Sequence, residues 1–383
     1  MGIDSIDYNR KNPYMAKVVE SYTISEGSGK ETNHYVFSIK GSGIRYKSGD
    51  AMGLYPKNNE QLVKNTIAKL RAKRKDKIST GDVEETTLEQ ALLHRFVIHR
   101  AGKKFLTMVH DKLGKGKPKR ELKVILDDAE ELEKYLFVRD YIDIMNDYRV
   151  KISPQEFVDT LSPITPRLYS ISSSPKAHLG EIHLTVAIVK YNNFDRDRYG
   201  LATGDLANSI IVNQTEVPIY IQPTRDFVIP ENGNKDIIMV GPGTGIAPFR
   251  AFMEERISTK ATGRNWLFFG EVHEETTFFY KDEWFNYMEE GKLTKLTTAF
   301  SRDQKEKIYV QNRITSNGKE IWEWLQNGAY FFICGDKQYM AKDVHKALIQ
   351  IAEEHGKMKK KDAEHYINQT LMKEEHRYLR DVY

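Results

Sequence analysis

Asp236-Ile-Ile-Met-Val-Gly-Pro-Gly-Thr-Gly-Ile-Ala-Pro-Phe-Arg250 decides how this 383-residue chain is read. A short apolar run comes first, then glycines at 241, 243 and 245, then an apolar pattern of helical period over 247–257. Strand, glycine turn and helix in that order bring free backbone N–H groups and the positive end of a helix dipole to one point, which suits a pyrophosphate. The three glycines are expected to let the backbone approach that group closely, and Pro248 fits a first helical turn. The spacing departs from the usual dinucleotide fingerprint, and no acidic residue follows at the ribose position. On this loop alone, a plain βα turn stays open as the alternative.

Working outward toward the C-terminus, residues 236–383 alternate. Strands are expected at 236–240, 265–269, 296–300 and 330–334, with helices at 247–257, 278–290, 339–355 and 363–375. Such alternation predicts a parallel sheet with helices on both faces. After the strand 296–300 come Ser301, Arg302, Lys307, Ile308, Tyr309, Val310 and Gln311. A hydroxyl, a guanidinium and an ammonium at the carboxyl end of a parallel strand suit a 2′-phosphate. The alternative is a solvated basic loop.

Toward the N-terminus, residues 17–25, 34–40 and 46–56 read as strands, and so do 167–172, 181–191 and 216–222. Between them, 58–160 changes to helical period, with helices expected at 61–74, 87–97, 132–148 and 153–161. Thr87 begins a segment suited to capping. We therefore expect two domains: an antiparallel β-barrel at 12–233 interrupted by a helical insertion at about 58–160, then an α/β parallel-sheet domain at 234–383.

Composition narrows the function classes. Hydrophobic residues make up 40% and charged residues 29% of the chain, as in globular proteins. The apolar runs 237–240 and 266–269 are too short to span a bilayer. Residues 1–12 are polar and show no secretory pattern, and a single cysteine, Cys334, excludes an intramolecular disulfide. Together these place the protein in the cytoplasm. A net charge of +4 is mild. The Lys-rich stretches 69–77, 112–120 and 357–361 read as solvated faces rather than nucleic-acid contacts, or as a face that docks an acidic partner. His273, His345 and His376 lack ligand spacing, so no metal site is expected.

One motif, Arg167-Leu-Tyr-Ser-Ile-Ser-Ser-Ser174, says little by periodicity. Taken with Gly-Pro-Gly-Thr-Gly-Ile-Ala-Pro-Phe-Arg250, Ser301-Arg-Asp-Gln304, Lys307-Ile-Tyr-Val-Gln311, Cys334-Gly-Asp336 and Met340-Ala-Lys-Asp-Val-His345, it resembles, in order, the ferredoxin–NADP⁺ reductase superfamily, and within it the diflavin reductases. The helical block matches the insertion of that branch. The ending Arg377-Tyr-Leu-Arg-Asp-Val-Tyr383 looks most like the flavoprotein (alpha) subunits of NADPH–sulfite reductase.

The resemblance implies FAD and NADPH as cofactors. It implies that Arg167, Leu168, Tyr169 and Ser170 bind FAD, that Thr185, Val186, Ala187 and Tyr191 line its adenine side, and that Gly200, Leu201, Ala202 and Thr203 meet its pyrophosphate. NADPH would meet Gly243, Thr244, Gly245, Ser301, Arg302 and Lys307 to Gln311, with Asp343 close by. Ser170, Cys334 and Asp381 would assist hydride transfer, and Tyr383 would shield the flavin. Diflavin reductases carry an FMN-binding flavodoxin domain ahead of this region. About a dozen residues precede the barrel here, so a redox-protein acceptor is expected, either a flavodoxin-like protein or the haemoprotein subunit of sulfite reductase. Another acceptor such as a cytochrome P450, or an inactive subunit of the same fold, remains as the alternative.

Overall fold

The computed structural model describes residues 8–81 and 85–383, so the polar start of the chain read above lies mostly outside the described residues. The described chain falls into two compact units. One comprises the residues up to Gly53, Leu168–Ala187 and Val212–Tyr383; the other comprises Leu54–Arg167 and Ile188–Ile211.

In the first unit, six strands hydrogen-bond in the order Arg167–Ser170, Ala51–Leu54, Glu216–Gln222, Tyr14–Thr23, Thr32–Ser38, Glu181–Ala187. Tyr14–Thr23 runs antiparallel to two of them, Glu216–Gln222 and Thr32–Ser38, with a register shift between Val18 and Glu20. Such an irregularity sharpens the local twist. The two ends of the order meet at an antiparallel bridge, Ile171 to Leu184, which closes the sheet into the expected barrel. The turn before Ala51 needs Gly49, which has φ +104° and would place a Cβ 2.0 Å from the Phe227 carbonyl oxygen.

Five strands make a wholly parallel sheet in the same unit, ordered Lys295–Phe300, Asn265–Glu271, Ile237–Val240, Tyr330–Gly335, Tyr378–Val382. Alternation sorts its side chains. Ile238, Val240, Trp266, Phe268, Phe331 and Ile333 pack on one face under the helix Met340–Glu354. Ile237, Met239, Leu267, Phe269, Phe332 and Cys334 pack on the other against Phe249 and Phe252 of the helix Ala247–Ser258. Each such fully buried side chain contributes on the order of 1.5–3 kcal/mol.

The second unit holds the helical insertion, built on a core in which Phe105, Tyr141 and Phe157 pack edge-to-face, 4.9–5.6 Å between ring centres. Thr87 caps its helix as expected, accepting from the Gln90 amide at 3.2 Å.

Several expectations are corrected. The helix read over 132–148 is two, Ala129–Phe137 and Tyr141–Asp147, because Asp140 and Asp143 form a capping box that starts a new helix. The segment 363–375 winds as α only over Lys360–His365 and then as a π-helix over Tyr366–Glu374. The strand read over 181–191 ends at Ala187, and Lys190–Asn193 pairs instead with Arg196–Tyr199 in a hairpin of the second unit. The helix Leu201–Ser209 and the strand Tyr378–Val382 were not foreseen.

Candidate active site

At the carboxyl end of the parallel sheet, strand register does what sequence distance conceals. Tyr378–Val382 lies parallel to Tyr330–Gly335 and sets Asp381 directly beside Cys334. Ser170, from the barrel strand, donates from Oγ to Asp381 Oδ2 at 2.8 Å, and Cys334 Sγ lies 3.9 Å from the same oxygen. The three residues named for hydride transfer therefore meet around one carboxylate oxygen. Burial first, then the Asp381 carboxylate, push the Cys334 thiol well above its usual range, so it stays protonated. Among the described residues Asp381 has no ion pair.

The glycine loop closes on this cluster. A Cβ on Gly245 would sit 2.2 Å from the Cys334 carbonyl oxygen, and one on Gly241 would sit 2.5 Å from the Gly245 oxygen. Both glycines thus allow close packing inside the protein. Gly243, at φ +57°, is the one of the three whose Cβ would meet only a distant atom, Glu271 Oε1 at 3.6 Å. Pro248 lies in the first turn of the following helix, as the sequence predicts. Thr244 Oγ1 is 3.0 Å from the Tyr383 hydroxyl. The chain end is tied down too, since the Tyr383 amide donates to the Gly335 carbonyl and the Lys337 amide donates to the Tyr383 carbonyl. The residue as a whole remains 63% exposed.

Beside the loop lies a cleft of about 590 Å³ lined by Gly243, Ser301, Tyr309, Val310, Gln311 and Asp343 among others. The motif Ser301-Arg-Asp-Gln304 divides its labour. Asp303 accepts from the Glu274 amide at 2.8 Å and pairs with His273 at 2.7 Å. The amide donor first, then the imidazole, hold its carboxyl below the usual range. Gln304 donates to the carbonyls of Phe300 and Glu306. These bonds fold the loop, while Arg302 and Lys307 stay exposed with no ion pair among the described residues. Ile308 is half-buried behind them. Asp303, Gln304 and His273 are the supporting residues the sequence reading missed. The Asn265–Glu271 strand end preceding His273 was the available signal.

Arg167, Leu168, Tyr169 and Ser170 form an exposed to half-buried strand, with Leu168 53% exposed. An apolar side chain so placed suits a ring-shaped ligand. Thr185 is buried, and its hydroxyl lies 2.6 Å from the Tyr280 hydroxyl; Val186 is buried as well, so neither side chain is presented outward. Ala187 is exposed. The Tyr280 hydroxyl also meets His34 Nδ1 at 2.8 Å.

Within the second unit, the helix Leu201–Ser209 starts at Gly200 without a side-chain cap. Its free N–H groups open toward a cleft of about 360 Å³ lined by Asn58, His99, Arg198, Tyr199, Gly200 and Leu201 among others. Asn58 Oδ1, His99 Nδ1 and Arg198 Nε are buried there with no hydrogen-bond partner. Uncapped amides, an orphaned guanidinium donor and an orphaned amide acceptor fit an anionic, hydroxyl-rich group such as the phosphate and ribose of FAD. Ala202 is buried, and Thr203 turns inward, accepting from the Val189 amide at 3.2 Å, so its hydroxyl supports the loop. Tyr191 is half-buried on the hairpin. That hairpin is clamped to the insertion by four charges. Arg198 binds Asp140 at 2.7 Å and Asp143 at 2.6 Å, and Arg196 binds Asp140 at 3.0 Å and also Asp143.

No helix among the described residues is long and apolar enough to cross a membrane. The family described as FAD binding domain matches residues 6–204, and that described as oxidoreductase NAD-binding domain matches residues 239–346. Over 380 residues, 99% of this chain, it is 38% identical to the sulfite reductase [NADPH] flavoprotein alpha-component of Mannheimia succiniciproducens. It is 40% identical over 98% of its length to the protein so named in Bacillus subtilis, and 39% identical over 98% to that of Vibrio parahaemolyticus. The chain spans only 59–62% of these curated relatives. With the FAD-binding match covering more than half the chain and an NAD-binding match following it, the protein belongs to the family described as FAD binding domain.

Proposed function

We propose that the chain takes hydride from NADPH onto FAD and passes electrons to a protein acceptor, as the flavoprotein component of a sulfite reductase. The observation that carries this reading is the Ser170–Asp381–Cys334 cluster at the carboxyl end of the parallel sheet, beside the loop carrying Thr244. Bound flavin supplies two-electron acceptance from a nicotinamide and one-electron delivery to haem or iron–sulfur groups. The chain supplies the rest. Asp381, without a cation partner, stabilises positive charge as it develops on the nicotinamide. Ser170 orients that carboxylate by donating to it. The protonated, buried Cys334 thiol keeps the surroundings dry.

In this reading Arg167, Leu168, Tyr169, Gly200 and Leu201 hold FAD, and Tyr169 and Tyr383 are the aromatic covers of its ring. Ser301, Arg302, Lys307, Tyr309 and Gln311 select the 2′-phosphorylated nucleotide. Functional boundaries at 12–233 and 234–383, with the insertion at 58–160, are part of the proposal and accord with family matches at 6–204 and 239–346. The acceptor follows from the names of the relatives: the haemoprotein subunit of sulfite reductase, or a flavodoxin-like protein that relays to it. A lone buried thiol suits the reducing cytoplasm.

The test is nucleotide discrimination. Arg302→Ala should raise the KM for NADPH about 10- to 100-fold, as expected for losing a charge-assisted hydrogen bond, and leave NADH oxidation unchanged. Flavin bleaching under each nucleotide reads both. Equal losses with NADPH and NADH would reject the assignment of the 2′-phosphate to this loop.

A further inference from the structure

The turn entering the strand Glu181–Ala187 reads His178-Leu-Gly-Glu181-Ile-His183, and none of its polar groups has a part in the proposed reaction. Gly180 takes φ +76°, and the Glu181 amide donates to the His178 carbonyl at 3.3 Å, so residues 178 and 181 close one turn. Glu181 and His183, two apart on a strand, share a face. One ring nitrogen of each histidine and one Glu181 oxygen come within 4.8 Å of one another. His183 is 5% exposed, and its Nε2 has no hydrogen-bond partner among the described residues; it lies 3.5 Å from Glu181 Oε2 without bonding geometry. Buried polar atoms are nearly always partnered. An orphaned imidazole nitrogen facing a carboxylate and beside a second imidazole marks a ligand position.

We propose that His178, Glu181 and His183 bind one divalent transition-metal ion, Zn²⁺ by its liking for two imidazoles and a carboxylate, with a fourth position left to water. The surroundings support it. Glu254 Oε1 lies 3.1 Å from His178 Nε2, a carboxylate–imidazole pairing that orients a ligating ring and raises its basicity. His183 Nδ1 faces His34 Nε2 at 3.2 Å, which fixes the ring with Nε2 toward Glu181.

Two cations oppose the ion, and both are already engaged. Arg250, whose Nη1 lies 3.5 Å from His183 Nδ1, is neutralised by Glu254 at 2.9 Å and Glu283 at 2.7 Å. Lys40, 3.3 Å from Glu181, is 68% exposed and gives up its pair at little cost. The bound ion would brace the turn against the helix Ala247–Ser258 through Glu254. The sequence reading weighed only His273, His345 and His376 for metal binding, and none of these joins the cluster.

The test uses the full chain, stripped with a chelator, dialysed and titrated with Zn²⁺ by calorimetry, with bound zinc counted by elemental analysis. One ion per chain and a raised thermal midpoint are expected. His178→Gln and Glu181→Gln should each weaken binding at least about tenfold, with circular dichroism unchanged. In the unaltered protein, Zn²⁺ should also protect His178 from diethyl pyrocarbonate, read by peptide mass spectrometry, which makes the test independent of how the variants fold. Absence of saturable one-to-one binding, unchanged affinity in both variants, or an unprotected His178 would each overturn the site.

Discussion

Two carboxylates in the two compact units are partnered in opposite ways. Asp143 is buried, accepts from the Asp140 amide at 2.9 Å and is gripped by Arg196 and Arg198. Burial pushes its pKa up, but the Asp140 amide and the two guanidinium groups outweigh that and hold it below the usual 3.8. Among the described residues Asp381 has one hydroxyl and one protonated thiol beside it and no ion pair. A fully compensated buried charge fixes a hairpin in place. A carboxylate lacking a counter-charge can still respond when positive charge appears next to it. The contrast separates structural charge from chemical charge by counting partners.

The sharpest way to break the contrast is to remove both carboxylates in turn. Asp143→Ala leaves Arg196 and Arg198 to share the single Asp140 carboxylate, an excess positive charge that should cost about 3 kcal/mol in urea unfolding. Because the folded pKa of Asp143 is depressed, its contribution is fully present above pH 3.8 and disappears as pH falls through the folded value. The parent should therefore lose stability steeply below pH 3.8, and the variant should lack that component of the acid limb. A variant as stable as the parent would show that the clamp is dispensable. Next in size, Asp381→Asn should barely change stability yet slow single-turnover hydride transfer by about 100-fold, with flavin content intact. A stopped-flow rate equal to the parent's would return Asp381 to a structural role. Smallest is Gly245→Ala. Its Cβ would be driven into the Cys334 carbonyl, costing about 1–3 kcal/mol as overpacking and lowering the thermal midpoint. No change there would mean that the loop yields more readily than its contacts indicate.

Local signals carried much of the reading. The glycine loop between strand and helix, the alternation of 236–335 and the Thr87 cap all follow from turn chemistry and side-chain period, which act within a few residues. The position of the Ser301–Gln311 segment was legible because it follows a strand of the parallel sheet, at the end where ligands gather in open α/β sheets. The Asp140 capping box was legible in principle but was masked by continuous helical composition on both sides. That the Thr185 hydroxyl meets that of Tyr280, 95 residues away, could not be read locally.

By itself the sequence determined the strand-rich and helical stretches, the parallel α/β half and the glycine turn between strand and helix, since hydrophobic period and glycine or proline placement are properties of neighbours in the chain. Only the tertiary structure decided that the last strand lies beside Tyr330–Gly335, bringing Asp381 to Cys334 and Ser170 across 211 residues. It likewise decided that the 190–199 hairpin is clamped to the insertion, and that Gly241 and Gly245 face the protein's own backbone. Pairing register, buried charge compensation and close backbone approach depend on which distant segments meet, and no local pattern of residues encodes that.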